Sequence, residues 1–212
     1  MNFYFTKTPK IIQSYYKNYL WEIDTNKKEI YLTFDDGPTP IVTEFVLDTL
    51  KKYHAKATFF CVGKNVKNNP ELFQRILNEN HGIGNHTQNH LNGWKTKAAI
   101  YLDNVIVAEE FLFDDSITKI QKLFRPPYGK IKTKQAKAIL KNGYKIIMWS
   151  VLSGDFDTRI KEEKCLQNVL QNVESGSIVV FHDSEKAFNK LKNVLPKMLT
   201  HFSSLGFKFK AI

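Results

Sequence analysis

The sequence predicts an α/β fold, an irregular or partly open (β/α) barrel of about seven parallel strands. Three observations predict it. From Glu29 onward, strand-like apolar runs alternate with helix-like runs, and such alternation requires parallel strands joined by right-handed crossovers. The strand runs are almost continuously apolar, as in strands covered on both faces. Reactive side chains recur at the carboxyl ends of these runs, where a closed parallel sheet gathers them on one rim and an open sheet does not. A complete TIM-like barrel has eight strands, hence the expected irregularity.

The elements follow in order. Residues 8–23 (TPKIIQSYYKNYLWEI) place Ile11, Ile12, Tyr15, Tyr19 and Leu20 at helical spacing and are expected to pack as a helix over the barrel end, in preference to anchoring on a membrane surface. EIYLTF (29–34) is the first strand, its β-branched and aromatic content suiting a buried, pleated setting. Thr39-Pro40 opens the first crossover helix, with threonine as cap, proline in the first turn and Val42, Phe45, Val46, Thr49 and Leu50 at helical spacing. ATFFCV (57–62) is the second strand, and Asn69-Pro70 opens a helix carrying Leu72, Phe73, Ile76 and Leu77 on one face. HGIGN (81–85) and QKLFR (121–125) are strands on either side of a helix over 95–112. A helix over 133–141, ended by Gly143, leads to YKIIMWSV (144–151), and one over 158–174, ended by Gly176, leads to SIVVFH (177–182). A last helix over 186–205, kinked at Pro196, precedes FKFKAI (207–212).

Composition narrows the function classes. The 212 residues, 42% of them apolar, can bury one large core without a linker or repeat. No stretch approaches the roughly 18 apolar residues of a membrane span, and MNFYFTKTPK is no export signal. As written, the chain is expected in the cytoplasm, without stable membrane insertion. Cys61 and Cys165 lack ligand spacing and are read as buried packing residues. The net charge of +10 suits an anionic partner, but the lysines are scattered and no nucleic-acid-binding signature accompanies them, so no nucleic-acid partner is expected. The chain has neither a G-x-S-x-G elbow nor a phosphate-binding G-x-x-x-x-G-K-[ST] loop.

Five units place polar residues at strand ends: Asp35 and Asp36, His86 and His90, Arg125, Asp155, and His182. His86 and His90, four apart, are expected on one helical turn with both imidazoles on one face, able to take adjacent positions on a divalent ion. A carboxylate from the Asp35-Asp36 pair completes a facial triad with open positions. Successive side chains at a strand end diverge, so one aspartate can bind the ion while the other stays off it and accepts a proton from water. The cation relieves the repulsion between them.

Together these segments resemble the polysaccharide deacetylases of carbohydrate esterase family four, which share the nodulation chitooligosaccharide deacetylase homology domain. The matching segments are TFDDGP (33–38), HTQNH (86–90), RPPYG (125–129), WSVLSGDF (149–156) and VFHD (180–183), in the family's order. The resemblance covers residues 28–212 as the catalytic domain and leaves 1–27 as an N-terminal helical extension. It implies Asp36, His86 and His90 as ligands of one divalent ion, zinc by usual expectation, with cobalt, nickel or iron also suited to such a set. It implies Asp35 as general base, Arg125 holding it, His182 as general acid and Asp155 orienting His182. Tyr128 would lend its backbone N–H to the oxyanion, with Pro127 beside it among the substrate-binding residues. Phe156 and Val180 stand where the family has tryptophan and leucine, and keep an apolar wall for the acetyl methyl; Leu152 replaces an acid. Trp94 is placed to stack on a sugar, whereas Trp149 is read as core. The implied reaction is hydrolysis of N-acetyl groups on an N-acetylglucosamine-type glycan, chitin- or peptidoglycan-like, with a glycan-binding protein on an inactive scaffold as the alternative. Relatives act on extracellular polymers, so either the substrate is internal or an exported form exists.

Overall fold

The computed structural model describes residues 4–113 and 121–212. Its strands are β1 (Glu29–Asp35), β2 (Thr58–Cys61), β3 (Gly82–Asn85), β4 (Leu123–Phe124), β5 (Lys145–Ile146), β6 (Val151–Leu152), β7 (Ile178–His182) and β8 (Lys208–Lys210). They form one sheet in the order β5-β4-β3-β2-β1-β7-β6, with β8 beside the start of β1, and every ladder among them is parallel. This is the expected open, barrel-like α/β sheet. The helices are α1 (Lys10–Tyr15), α2 (Val42–Lys52), α3 (Gly63–Asn68), α4 (Pro70–Asn78), α5 (Ala98–Leu112), α6 (Thr133–Lys141), α7 (Glu162–Leu170) and α8 (Glu185–Ser204).

The central strand explains the core. In β1 only Glu29 and Tyr31 are partly exposed, as burial on both faces requires. Phe34 stacks on Phe59 of β2 at 5.2 Å and faces Phe181 of β7 at 6.1 Å, and α2, α4 and α8 close over these rings through Val46, Leu50, Ile76, Leu195 and Met198. A second cluster lies across the sheet at Tyr101, Phe124, Ile139, Tyr144 and Ile146. Both cysteines are free and buried. Among the described residues no helix is long and apolar enough to cross a membrane.

Four local expectations are corrected. The run 144–151 is two strands, β5 and β6, interrupted at Met148 and Trp149: Ile147 N still donates to Phe124 O of β4 at 2.8 Å and Ser150 N to Ile178 O of β7 at 3.1 Å, but Met148 N turns to Leu20 O at 2.7 Å. The helix expected over 8–23 occupies only Lys10–Tyr15, and Ile11 and Tyr15 are each 80% exposed. Instead of packing as an amphipathic helix, this region runs along the sheet opening between β5 and β6, bridging Lys7 to Val151 and Leu20 to Ile147. Thr39-Pro40 does not cap α2, which starts at Val42 behind Ile41 at φ 68°; Thr43 Oγ instead accepts from Thr39 N at 2.7 Å. Residues 63–68 form α3, which the sequence reading left without an element; α8 contains Pro196 within its span. The Asn69-Pro70 start of α4 is as expected.

Candidate active site

The rim assembles from strand ends. Asp35 closes β1, and its Cα pairs in register with that of His182, which closes β7. Asp36 then leaves the strand at φ 86°, a left-handed conformation that aspartate tolerates better than most residues. The two carboxylates therefore meet different surroundings. Asp35 is 4% exposed and accepts from Arg125 Nη1 at 2.7 Å. Arg125 is fully buried, with its remaining donors on Thr33 Oγ at 2.7 Å, Met148 O at 2.9 Å and Ile147 O at 3.2 Å, and Phe60 lies 4.0 Å beneath its guanidinium. Every guanidinium nitrogen is thus committed, which fixes Arg125 and the aspartate it holds. Asp35 Oδ2 takes no hydrogen bond among the described residues.

Asp36 faces the imidazoles. Its Oδ1 lies 3.1 Å from His90 Nε2 and 3.8 Å from His86 Nε2, and one ligand atom from each of the three residues falls within 4.8 Å of the others. His86 and His90 are not on a helical turn, as the spacing suggests. They flank a bend with Thr87 at φ 65° and His90 at φ 53°, held by Thr87 N donating to Asn85 Oδ1 at 2.8 Å and Leu91 N to Thr87 Oγ at 3.1 Å. The bend brings the rings to 5.0 Å. Burial lowers His86 to about 4 against the pull of Asp35, keeping the imidazole neutral. Its Nδ1 lies 2.8 Å from Arg125 O. A carbonyl only accepts, so the proton sits on Nδ1 and the Nε2 lone pair faces Asp36.

This set fits a divalent cation. Asp36 Oδ1 is buried and satisfied by no hydrogen bond although His90 is near, a cost that coordination removes. Burial pushes the Asp36 carboxyl up, but the His90, His182 and His86 imidazoles outweigh it and hold it below the usual carboxylate range. The donors are two imidazoles and a carboxylate, a set suited to zinc and its neighbours.

Opposite stands His182. Asp155 accepts from its backbone N at 2.7 Å through Oδ2 and meets its Nδ1 at 2.8 Å through Oδ1. Burial lowers this imidazole, but Asp155 more than compensates and raises it to about 9. Leu152 is buried in β6, so Asp155 alone supplies the carboxylate. Phe156 lies edge-on to His182 at 5.0 Å and Val180 is buried within β7. Pro127 is buried, and Tyr128, at φ 61°, holds its ring 4.6 Å from His90. Trp94 is 60% exposed, anchored by its Nε1 on Ile131 O at 3.3 Å with Lys130 5.3 Å over its ring. Trp149 is partly buried against the second cluster and against Phe60, Leu123, Ile147 and Ile178.

Three supporting residues escaped the sequence reading. Asp183 is fully buried and accepts from Gly37 N at 2.9 Å and Thr43 Oγ at 2.6 Å, while its own N donates to Asp35 O at 3.0 Å. Burial raises its carboxyl to about 7 against those donors. A Cβ on Gly37 would stand 1.9 Å from Asp183, so glycine is required there. The sequence signal for Asp183 was its place at the end of VFHD (180–183), where it was given no role. Asn65 donates to Asp36 O at 2.7 Å from the unforeseen α3. Tyr4 donates to Asp157 at 3.0 Å and packs 5.4 Å from Phe156, a contact without local pattern.

Comparison with known proteins yields a consistent set. A family model described as "Polysaccharide deacetylase" matches residues 22–147. A peptidoglycan-N-acetylglucosamine deacetylase of Bacillus cereus is 35% identical over 91% of this chain and 90% of its own. The peptidoglycan-N-acetylglucosamine deacetylase PgdA of Listeria monocytogenes is 37% identical over 89% of this chain, which spans 38% of that longer protein. The solved Bc1960 peptidoglycan N-acetylglucosamine deacetylase superposes with a TM-score of 0.86 at 33% identity, covering 97% of this chain and 95% of its own.

Proposed function

The chain belongs to the polysaccharide deacetylase family and is a deacetylase; from that premise we propose that it hydrolyses N-acetyl groups on N-acetylglucosamine-type glycans, releasing acetate, and that it does so with a divalent ion held by Asp36, His86 and His90. Zinc is the first choice for that ligand set. When bound, the ion supplies Lewis acidity toward the amide carbonyl and lowers the pKa of water. The observation that carries the reading is the pairing of Asp35 and His182 across β1 and β7, beside three ligand atoms within 4.8 Å of one another.

In this reading the side chains divide the proton work. Asp35, oriented by its ion pair with Arg125, takes a proton from the attacking water through its free Oδ2. His182, bound through Nδ1 to Asp155, presents Nε2 and gives its proton to the departing amine. Water thus adds oxygen to the carbonyl carbon as the C–N bond breaks, giving acetate and a free amine. The Tyr128 backbone N–H steadies the developing oxyanion. Phe156 and Val180 receive the methyl, Pro127 holds the turn behind Tyr128, and Trp94 stacks on a sugar face. The test is acetate release from N-acetylglucosamine oligomers: activity lost on chelation and restored by zinc is expected. No acetate from chitin or peptidoglycan oligomers, with a divalent ion verified in the site, would overturn it.

A further inference from the structure

The start of α3, just after β2, carries a cation that none of these roles uses. Val62 N donates to Gly37 O at 3.0 Å and Asn65 Nδ2 to Asp36 O at 2.7 Å, tying the segment to the aspartate turn. Gly63 N donates to Thr87 O and Lys64 N to Gln88 O, each at 3.0 Å, tying it to the histidine bend. Lys64 is therefore seated between the two loops that supply the candidate cation ligands. With Val62, Asn65 and Asn89 it lines a cavity of about 320 Å³ whose remaining wall is Asp36 and His90. The side chain is exposed, and no ion pair or hydrogen bond occupies its ammonium among the described residues.

An unpaired ammonium on a rigid seat beside the reaction centre, flanked by two amides, fits a carboxylate carried by the glycan itself. The charge of +10 adds long-range attraction for such a polymer. Among the described residues Lys7, Lys10, Lys122 and Lys197 pair with carboxylates; what sets Lys64 apart from the other unpaired lysines is its place on the cavity wall beside Asp36 and His90. We propose that Lys64 binds a sugar-borne carboxylate next to the N-acetyl group being removed, so that this deacetylase selects an acidic glycan over a neutral one. The inference rests on the deacetylase reading for its kinetic test and on binding alone for a second test. A carboxylate can come from a lactyl ether on the neighbouring ring or from a peptide attached to that ether.

The experiment compares kcat/KM of the zinc-loaded enzyme on peptide-free oligomers with free lactyl carboxylates, the same oligomers amidated at the lactyl group, peptide-bearing oligomers and chitin oligomers. The free lactyl form is expected to be preferred over the amidated form. Lys64→Gln should reduce that preference about 10-fold, as loss of a hydrogen bond to a charged group does at an exposed site. Lys64→Glu should reverse it and Lys64→Arg restore it. Dependence on Lys64 confined to the peptide-bearing oligomers would keep the carboxylate but assign it to the peptide. A preference identical in wild type and Lys64→Gln would overturn the proposal. If wild type releases no acetate from any oligomer, the deacetylase reading fails. Direct titration of the lactyl oligomer into wild type and Lys64→Glu still decides this one: equal affinity overturns it, and weaker binding by Lys64→Glu upholds it.

Discussion

Asp35 and Asp36 are neighbours in the chain yet stand in opposite surroundings, and a few atoms make the difference. Asp35 has a guanidinium at 2.7 Å; Asp36 has a buried oxygen with no hydrogen bond and two imidazole nitrogens within 3.8 Å. Asp35→Asn is accordingly expected to lower kcat by about 10²- to 10⁴-fold, the usual worth of a general base, while zinc titration still shows a filled site. His182 offers a second check through pH. Its pKa is raised to about 9 from a free value of 6.5, so the folded state binds this proton more tightly than the unfolded chain. The stabilisation is complete below pH about 6.5, is lost as pH rises through about 9, and is absent above. In the metal-free protein the urea-midpoint advantage of wild type over Asp155→Asn should shrink across that window. The alkaline limb of kcat should move to lower pH in Asp155→Asn.

At the scale of elements, Asp183 joins the β1 turn, the start of α2 and the end of β7 through Gly37, Thr43 and Asp35. Asp183→Ala leaves the buried Gly37 N–H and the Thr43 hydroxyl proton without an acceptor. A loss of about 1–3 kcal/mol in urea unfolding is expected, with zinc affinity about 10-fold weaker because the Asp36 turn loses its support. The elements also show what was legible. β1, β2 and β7 were readable because apolar β-branched and aromatic runs fit a doubly covered strand, and the reactive residues stood out because they end those runs. The stretch 144–151 looked like one strand since Met148 and Trp149 are apolar; its interruption there depends on Met148 N turning to Leu20 O, far away in sequence. The pairing of His86 with His90 was legible, but the reason was not. A spacing of four fits a helix, whereas the structure uses a bend with two left-handed residues. Residues 8–23 misled because Ile11 and Tyr15 match a helical stripe but face solvent.

Across the whole molecule, the sheet path ends at β5 and β6 and is not closed by a ladder between them. Residues 6–20 occupy that opening: Leu152 N donates to Thr6 O at 2.8 Å, Thr8 N to Ser150 O at 2.9 Å, Leu20 N to Ile146 O at 2.9 Å and Met148 N to Leu20 O at 2.7 Å. Deleting residues 1–20 should therefore cost about 2–6 kcal/mol, summed at roughly 1 kcal/mol per hydrogen bond, with a lower urea midpoint and more aggregation from the bared strand edges. Such long-range closure has no local signature, which is why the barrel class was readable and its seal was not. The register of β1 against β7 has one more consequence. Since Asp35 and His182 occupy matching rungs, strand spacing holds their Cα atoms about 5 Å apart, making the sheet a caliper. It admits a bond whose attacked carbon and departing nitrogen fit between its jaws. A slip of a single rung would turn one jaw outward to face the helices, disabling the tool without altering any residue in it.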